Sequence, residues 1–282
     1  MEMFKVILKE DVLLSEYLKS LNFGIHRYNE LLNQKKIKVN NVAITKDQKL
    51  IKGDKLLIDL TLFKMKTSIV PIETTMRLHI LYEDDYILVV DKPGNMIIYP
   101  DENQSNVLTL AHLVKKYYDE NGIDSGVYHL HRLDRDTRGC ILYAKDLITL
   151  AALSKMMENH QVIRHYKALV EGRLPKKKGI IDKPIAKDRH HNNKMICNEN
   201  GKRAVTEYQV VKEYANNTSL VKINLKTGRT HQIRVHFAAI NHPLVNDPLY
   251  NPNYKSGNYD LISLDIAFRH PITNEQIYVA KS

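Results

Sequence analysis

The stretch His131-Arg132-Leu133-Asp134-Arg135-Asp136-Thr137-Arg138-Gly139 sets one carboxylate, Asp134, between arginines and ends on a glycine. It lies between two apolar segments with strand character, Val127 to Leu133 and Gly139 to Ala144. Charges pinned between two strands often sit at a sheet end, where clefts form. Asp134 is therefore the candidate reactive group. With an ordinary pKa near ~3.9 an aspartate is already ionised at neutral pH, so it needs positioning more than activation to act as nucleophile or base. Neighbouring guanidinium groups would keep it ionised in a pocket closed to water. The plain alternative is a solvated turn with surface ion pairs.

Working outward from this stretch, Asp146 is placed to cap a helix whose Leu150, Leu153 and Met157 pack inward. Arg164 to Gly172 reads as a strand, and Ala204 to Val211 and Leu220 to Leu225 as antiparallel strands. Thr230 is placed to cap a helix with Ile233, Phe237 and Ile240 on its core face. Upstream, Asn106 to Asp119 has helical spacing and Asn121-Gly122 stops it. Ile80 to Asp91 reads as two strands around the turn Glu83-Asp84-Asp85, with Ile87 to Val90 buried on both faces. Residues 63–77 lack a sustained period and contain Pro71, which suits a linker. Before it, residues 1–62 read as a short strand, two helices, and strands at Ile37 to Val39 and Lys55 to Leu60. The predicted architecture is α+β: a mixed, mainly antiparallel sheet with flanking helices and a central cleft over 78–282, preceded by a small α/β unit.

Bulk properties describe an ordinary globular chain, 43% hydrophobic and 26% charged over 282 residues. No apolar run is long enough to span a bilayer and Met1 to Lys9 has no signal-type apolar core, so a cytoplasmic protein is expected. Cys140 and Cys197 are the two cysteines and make neither a disulfide framework nor a zinc motif. The 13 histidines, His190-His191 and His231/His236 included, lack a third ligand at motif spacing, so no metal is expected. A formal charge of +10 fits a polyanionic partner, and equally a basic protein without one.

The opening stretch resembles the His-Arg-Leu-Asp-x-x-Thr-Ser-Gly signature of RluA-type pseudouridine synthases, with Arg138 in place of serine. Three further segments match in the same order. Lys92-Pro93-Gly94-Asn95 resembles the family's Lys-Pro-x-Gly, and Arg164-His165-Tyr166-Lys167-Ala168-Leu169-Val170-Glu171-Gly172 looks like its second motif. Thr227-Gly228-Arg229-Thr230-His231-Gln232-Ile233-Arg234-Val235-His236 matches the third residue for residue. Leu261 to Pro271 resembles the closing strand, with Asp265 replacing a usual histidine. Asparagine stands for glycine at Asn95, Asn241 and Asn246, an exchange that turns with positive φ accept at small cost.

The resemblance implies isomerisation of uridine in RNA to pseudouridine, ribosomal RNA first and transfer RNA next, by a monomer that needs no cofactor. It implies Asp134 as the essential carboxylate, Arg234 as its ion-pair partner and Tyr166 as the ring stacked on the base. Arg132 would enter the helix to hold the flipped nucleotide out, with His131, Arg229 and Lys92 as further RNA contacts. Residues 1–62 are similar to the small RNA-binding domain named after ribosomal protein S four. Arg27, Lys35, Lys36 and Lys38 would then contact phosphates, or else form an ordinary solvated face. Two other classes compete: a non-catalytic RNA-binding protein, which would lack one of Asp134, Tyr166 or Arg234, and a hydrolase pairing Asp134 with Asp136.

Overall fold

The computed structural model describes residues 2–63, 69, 71–100, 107–191 and 193–281. Up to residue 63 the elements are β1 (Met3–Ile7), β2 (Val12–Leu13), α1 (Leu14–Ser20), α2 (Ile25–Asn33), β3 (Ile37–Val39), β4 (Val42–Ala43), β5 (Lys49–Leu50) and β6 (Lys55–Asp59). Strands β1, β6, β3 and β4 form an antiparallel sheet, and β2 pairs with β5. Leu14 and Leu18 on α1, with Tyr28, Leu31 and Leu32 on α2, are buried at helical spacing.

The hairpin of β7 (Ile80–Glu83) and β8 (Ile87–Lys92) follows. Asp84 closes its turn by accepting from the backbone N–H groups of Tyr86 and Ile87, both at 2.8 Å. As expected for a strand covered on both sides, Ile87 and Val89 join one hydrophobic core while Leu88 and Val90 join another. Helix α3 (Leu110–Glu120) starts later than its periodicity suggests. Thr109 caps it reciprocally with His112, and Asn106, the expected start, lies outside the described residues.

The remaining elements are β9 (Tyr128–His129), β10 (Arg138–Ala144), α4 (Leu147–Glu158), β11 (Ile163–Glu171), β12 (Lys178–Asp182), β13 (Ile185–Lys187) and β14 (Met195–Cys197), then β15 (Val205–Glu213), β16 (Thr218–Leu225), α5 (Gln232–Ala239), β17 (Leu261–Arg269) and β18 (Gln276–Ala280). Asp146 caps α4 as expected, its Oδ1 accepting from the N–H groups of Ile148 and Thr149. Two expectations are corrected. The strand anticipated over 127–133 is the two-residue β9, because the chain leaves the sheet to carry the Asp134 loop. Nor does Thr230 cap α5: His231 occupies that place at φ 56, and the preceding turn is held by the Gln232 side chain, which accepts from Arg229 N–H at 3.0 Å and the Thr227 hydroxyl at 2.9 Å.

The large sheet has ten strands in the order β12-β15-β16-β11-β17-β10-β8-β7, with β18 beside β17 and β9 beside β10. All its pairs are antiparallel except β10 with β17, which run parallel through Arg138↔Ile262 and Gly139↔Ser263. That short pairing is a seam between two halves of the sheet, and the Asp134 loop opens directly onto it. Gly139 is required there: its φ is 111°, and a Cβ would stand 2.1 Å from the Ser263 carbonyl oxygen.

The N-terminal elements do not stand apart from this sheet. Phe4, Leu14 and Leu18 belong to the same core as Ile87, Val89, Ile148 and Phe268. Tyr86 donates to the Lys5 carbonyl at 2.6 Å and Tyr128 to the Glu2 carboxylate at 2.8 Å. Among the described residues no helix is long and apolar enough to cross a membrane.

Candidate active site

Asp134 stands on the loop between β9 and β10, its side chain about one-fifth exposed. The loop is anchored from below by Lys92, which is fully buried at the end of β8. Its Nζ donates to the carbonyls of Pro93, Met96 and Arg135 at 2.8, 2.7 and 2.8 Å. Burial pulls its pKa down to about 8, against the upward influence of Asp136, Asp134 and Asp91. Lys92, expected among the RNA contacts, is corrected on this point: its three hydrogens are taken by carbonyls, and it positions the loop that carries Asp134. The neighbouring turn contains Asn95, at φ 55, whose side chain accepts from Arg135 Nε at 2.9 Å. Asn241 and Asn246 also adopt positive φ, as the asparagine-for-glycine exchange requires.

Across the seam, α5 delivers Arg234. Its Nη1 lies 3.3 Å from Asp134 Oδ2, so the expected pair forms. A second carboxylate does more to hold it. Asp247, fully buried, accepts from Nε at 2.7 Å and from Nη2 at 2.9 Å, the two-pronged geometry that suits a guanidinium. Asp247 is itself fixed by the backbone N–H groups of Leu249 and Tyr250. The rings of Tyr259 and Tyr250 lie 4.5 and 5.0 Å from the guanidinium carbon. Burial opposes the charge on Arg234, but its hydrogen bonds to Asp247, and the Tyr259, Asp247 and Asp134 oxygens, outweigh that and raise its pKa. His231 completes the surround, with Nε2 3.9 Å from Asp134 and Nδ1 2.9 Å from the Tyr250 hydroxyl. Burial lowers its pKa, against the opposing pull of the Asp134 carboxylate.

Asp134 faces open space on two sides. One cleft, about 510 Å³, is bordered by Arg132, Arg164, Tyr166 and the turn Thr227 to Thr230. The other, about 600 Å³, is bordered by Ile97 to Pro100, Arg132 and Tyr259. Tyr166 on β11 is 3% exposed, so its ring is a wall of the first cleft, with Leu225 and Leu261 nearby. Arg132 is exposed and borders both clefts. Arg229 is exposed at the rim, its Nε donating to the Arg203 carbonyl at 3.0 Å. A larger cavity of about 810 Å³ lies elsewhere, between Ile69, Pro71 to Thr75 and α3, where Lys115 pairs with Asp119 and Lys116 with Glu120.

His131 departs from its expected role as an RNA contact. It is buried, its Nε2 accepts from Leu142 N–H at 3.4 Å, and burial together with the charges of Arg164 and His129 holds its pKa well below the usual histidine range. Asp136, the second carboxylate of the hydrolase reading, borders the same cleft as Asp134, while the side chains paired with Asp134 are Arg234 and His231. Arg138 reaches Asp260 at 2.8 Å on the surface. Asp265 is buried and meets His165 Nδ1 at 2.7 Å, so the unusual aspartate has a local partner. In the N-terminal part Arg27, Lys35 and Lys38 are exposed, with Arg27 over the Phe63 ring at 5.6 Å. Lys36 is tied to Asp59 at 2.7 Å and is the least available of the four.

Asp247, Tyr259, Tyr250 and Arg164 received no role from the sequence. Asp247 closes the third matched segment, but nothing in its spacing from Arg234 announces a two-pronged pair. Tyr259 lies outside every motif.

Known proteins resemble this chain in sequence and in fold. The family model for RNA pseudouridylate synthase matches residues 86–239, more than half of the chain. The sequence is 38% identical over 248 residues to the uncharacterized RNA pseudouridine synthase YhcT of Bacillus subtilis (strain 168), covering 87% of this chain and 81% of that one. It is 35% identical over 218 residues to the ribosomal large subunit pseudouridine synthase D of Blochmanniella floridana, covering 76% and 66%. The solved structure of human RNA pseudouridylate synthase domain containing 1 superposes with a TM-score of 0.62 at 23% identity, over 76% of this chain and 86% of that one, and shows the same fold. With its signature loop, its second and third motifs and its seam-centred cleft, the chain belongs to the RNA pseudouridylate synthase family, in its RluA-type branch.

Proposed function

We propose that the chain isomerises specific uridines of ribosomal RNA to pseudouridine, with Asp134 as the catalytic carboxylate. The observation that carries this reading is the placement of Asp134 at the sheet seam, 3.3 Å from an arginine that Asp247 holds from behind. In the reaction the bond from the ribose to N1 of uracil breaks, the base turns, and the ribose bonds to C5. The C5 proton leaves and N1 gains one, so no outside reagent is consumed. Asp134 serves as the nucleophile toward the ribose or base, or as the base that starts elimination at the sugar. Tyr166 provides the ring against the flipped base and Arg132 fills the gap in the stack. Arg234 orients Asp134 and keeps it ionised when RNA displaces water.

Residues 1–62 act in this reading as an RNA-binding module joined through 63–77 to the catalytic unit 78–282, with Arg27, Lys35 and Lys38 on phosphates. The ribosomal target draws its support from the name of the Blochmanniella floridana relative. The monomeric state and cytoplasmic site belong to the same proposal. The test is pseudouridine mapping of total RNA by carbodiimide labelling and primer extension, with and without the gene. Sites lost on deletion should return with the wild type and not with Asp134→Asn, which should bind RNA within a few fold of wild type. A site restored by Asp134→Asn would remove Asp134 from the mechanism, and lost sites confined to transfer RNA would overturn the ribosomal assignment.

A further inference from the structure

One buried cation in the cleft has no use in the scheme above. Arg164 lies on β11 two residues before Tyr166, so both side chains leave the same face of the strand, and the two are 9% and 3% exposed. Its Nε is buried with no hydrogen-bond partner, and among the described residues no carboxylate pairs with its guanidinium. Its Nη2 lies at the Gly228 turn, 3.7 Å from where a Cβ on Gly228 would stand. Glu158 borders the same cleft but is exposed and sits 3.2 Å from Lys155. A buried Nε without a partner is costly, and the guanidinium it belongs to, facing the cleft, calls for an acceptor that the free protein does not supply. The other cations on this cleft, Arg132, Lys226 and Arg229, are spread along its rim, as a polyanionic strand would require.

We propose that Arg164 is the phosphate seat of the cleft, where its guanidinium takes the RNA phosphodiester adjacent to the nucleotide that stands against Tyr166. The guanidinium offers two parallel N–H donors to phosphate oxygens, a fit that a lysine cannot reproduce. The turn at Gly228 lacks a side chain there and leaves the seat open to a strand. This proposal rests on the reading of the chain as an enzyme that turns a nucleotide into the cleft.

The experiment uses the full chain and a labelled RNA stem-loop with one loop uridine, plus two copies in which either flanking phosphate is replaced by an uncharged methylphosphonate. Wild type should lose about tenfold in affinity for one of the two copies, and its plot of log affinity against log salt should lose about one unit of slope, as for one released counterion. Arg164→Gln should bind the unmodified RNA about tenfold more weakly and should be indifferent to the same methylphosphonate. Equal losses in wild type and variant, or no loss in wild type with either copy, would overturn the proposal. The wild-type arm needs no variant, so a misfolded Arg164→Gln does not remove the test. Uridine conversion is followed separately: coupling to one phosphate without conversion would sink the enzymatic reading and keep Arg164 as an RNA contact, whereas conversion without coupling would sink the phosphate seat alone.

Discussion

Asp247 decides how sharply Arg234 is aimed. A guanidinium held only by Asp134 at 3.3 Å would follow that carboxylate wherever it moved, whereas two short bonds from a fully buried Asp247 fix the arginine first and let it orient Asp134 in turn. Removing one member of such a buried pair leaves the other charge unpaired, which costs about 3–5 kcal/mol. Asp247→Ala should therefore lose stability on that scale in urea melts, together with the backbone bonds to Leu249 and Tyr250. Asp247→Asn keeps an oxygen for those two N–H groups, so it should recover part of the stability while remaining slow in uridine conversion. An Asp247→Ala variant as stable as wild type would show that the pair contributes little to the fold. The sequence could not reveal this arrangement, because residue types report which groups are present, while a two-pronged pair depends on the turn after α5 bringing Asp247 back onto the helix.

At the scale of elements, the cap of α4 shows what a charge costs when its hydrogen bonds are good but its surroundings are dry. Asp146 is buried, and burial raises its pKa to about 6 despite the opposing bonds from Thr149 and Ile148. The folded protein therefore holds a proton that the unfolded chain gives up near 3.8, so this group's contribution is complete below that value and falls as pH rises through about 6. Asp146→Asn keeps an oxygen for Ile148 and Thr149 and has no charge to bury. Its stability relative to wild type should improve between pH 4 and pH 7 in urea melts, and a difference that stays flat or reverses would refute the assignment. Asp146→Ala, which removes the cap itself, should cost about 1 kcal/mol. This element was legible because a cap is local: an aspartate ahead of an apolar periodic run suffices. The run Ile87 to Val90 was legible for the same reason, since four apolar residues in succession fit a strand covered on both faces. The start of α5 was not, because its preceding turn is closed from inside the helix by Gln232, and His231 takes a left-handed conformation that residue preferences disfavour. The seam of β10 and β17 was beyond the sequence as well, since it joins distant segments through two residue pairs; Gly139 was its one visible trace.

At the scale of the whole molecule, one of the hydrophobic cores is shared across the division suggested along the chain. A weak period and Pro71 mark residues 63–77 as a connection, yet the apolar faces on either side of it meet. Phe4 packs with Tyr86 at 5.9 Å between ring centres, Tyr86 reaches the Lys5 carbonyl, Asn22 reaches the Ala151 carbonyl at 3.4 Å, and Lys9 reaches the Thr273 carbonyl at 2.8 Å. A tethered RNA-binding module would be removable, with a loss confined to affinity. A docked one is not, because the chain left behind would expose the face of β8 and α4 that now carries Ile87, Val89 and Ile148. The protein lacking residues 1–62 should therefore melt at a lower temperature and associate in size-exclusion chromatography, and its RNA affinity should not be interpretable apart from that defect. If instead the shortened chain ran as a stable monomer with an unchanged melting temperature, the shared core would contribute nothing measurable, and the N-terminal part would be a module in the thermodynamic sense. In the proposed reading, with Arg27, Lys35 and Lys38 on the same core as the Asp134 sheet, the span from the proposed phosphate contacts to the target nucleotide would be set by packing rather than by a flexible chain. Such an enzyme would select RNAs by shape, since a uridine would reach the proposed carboxylate when the flanking structure fits that span.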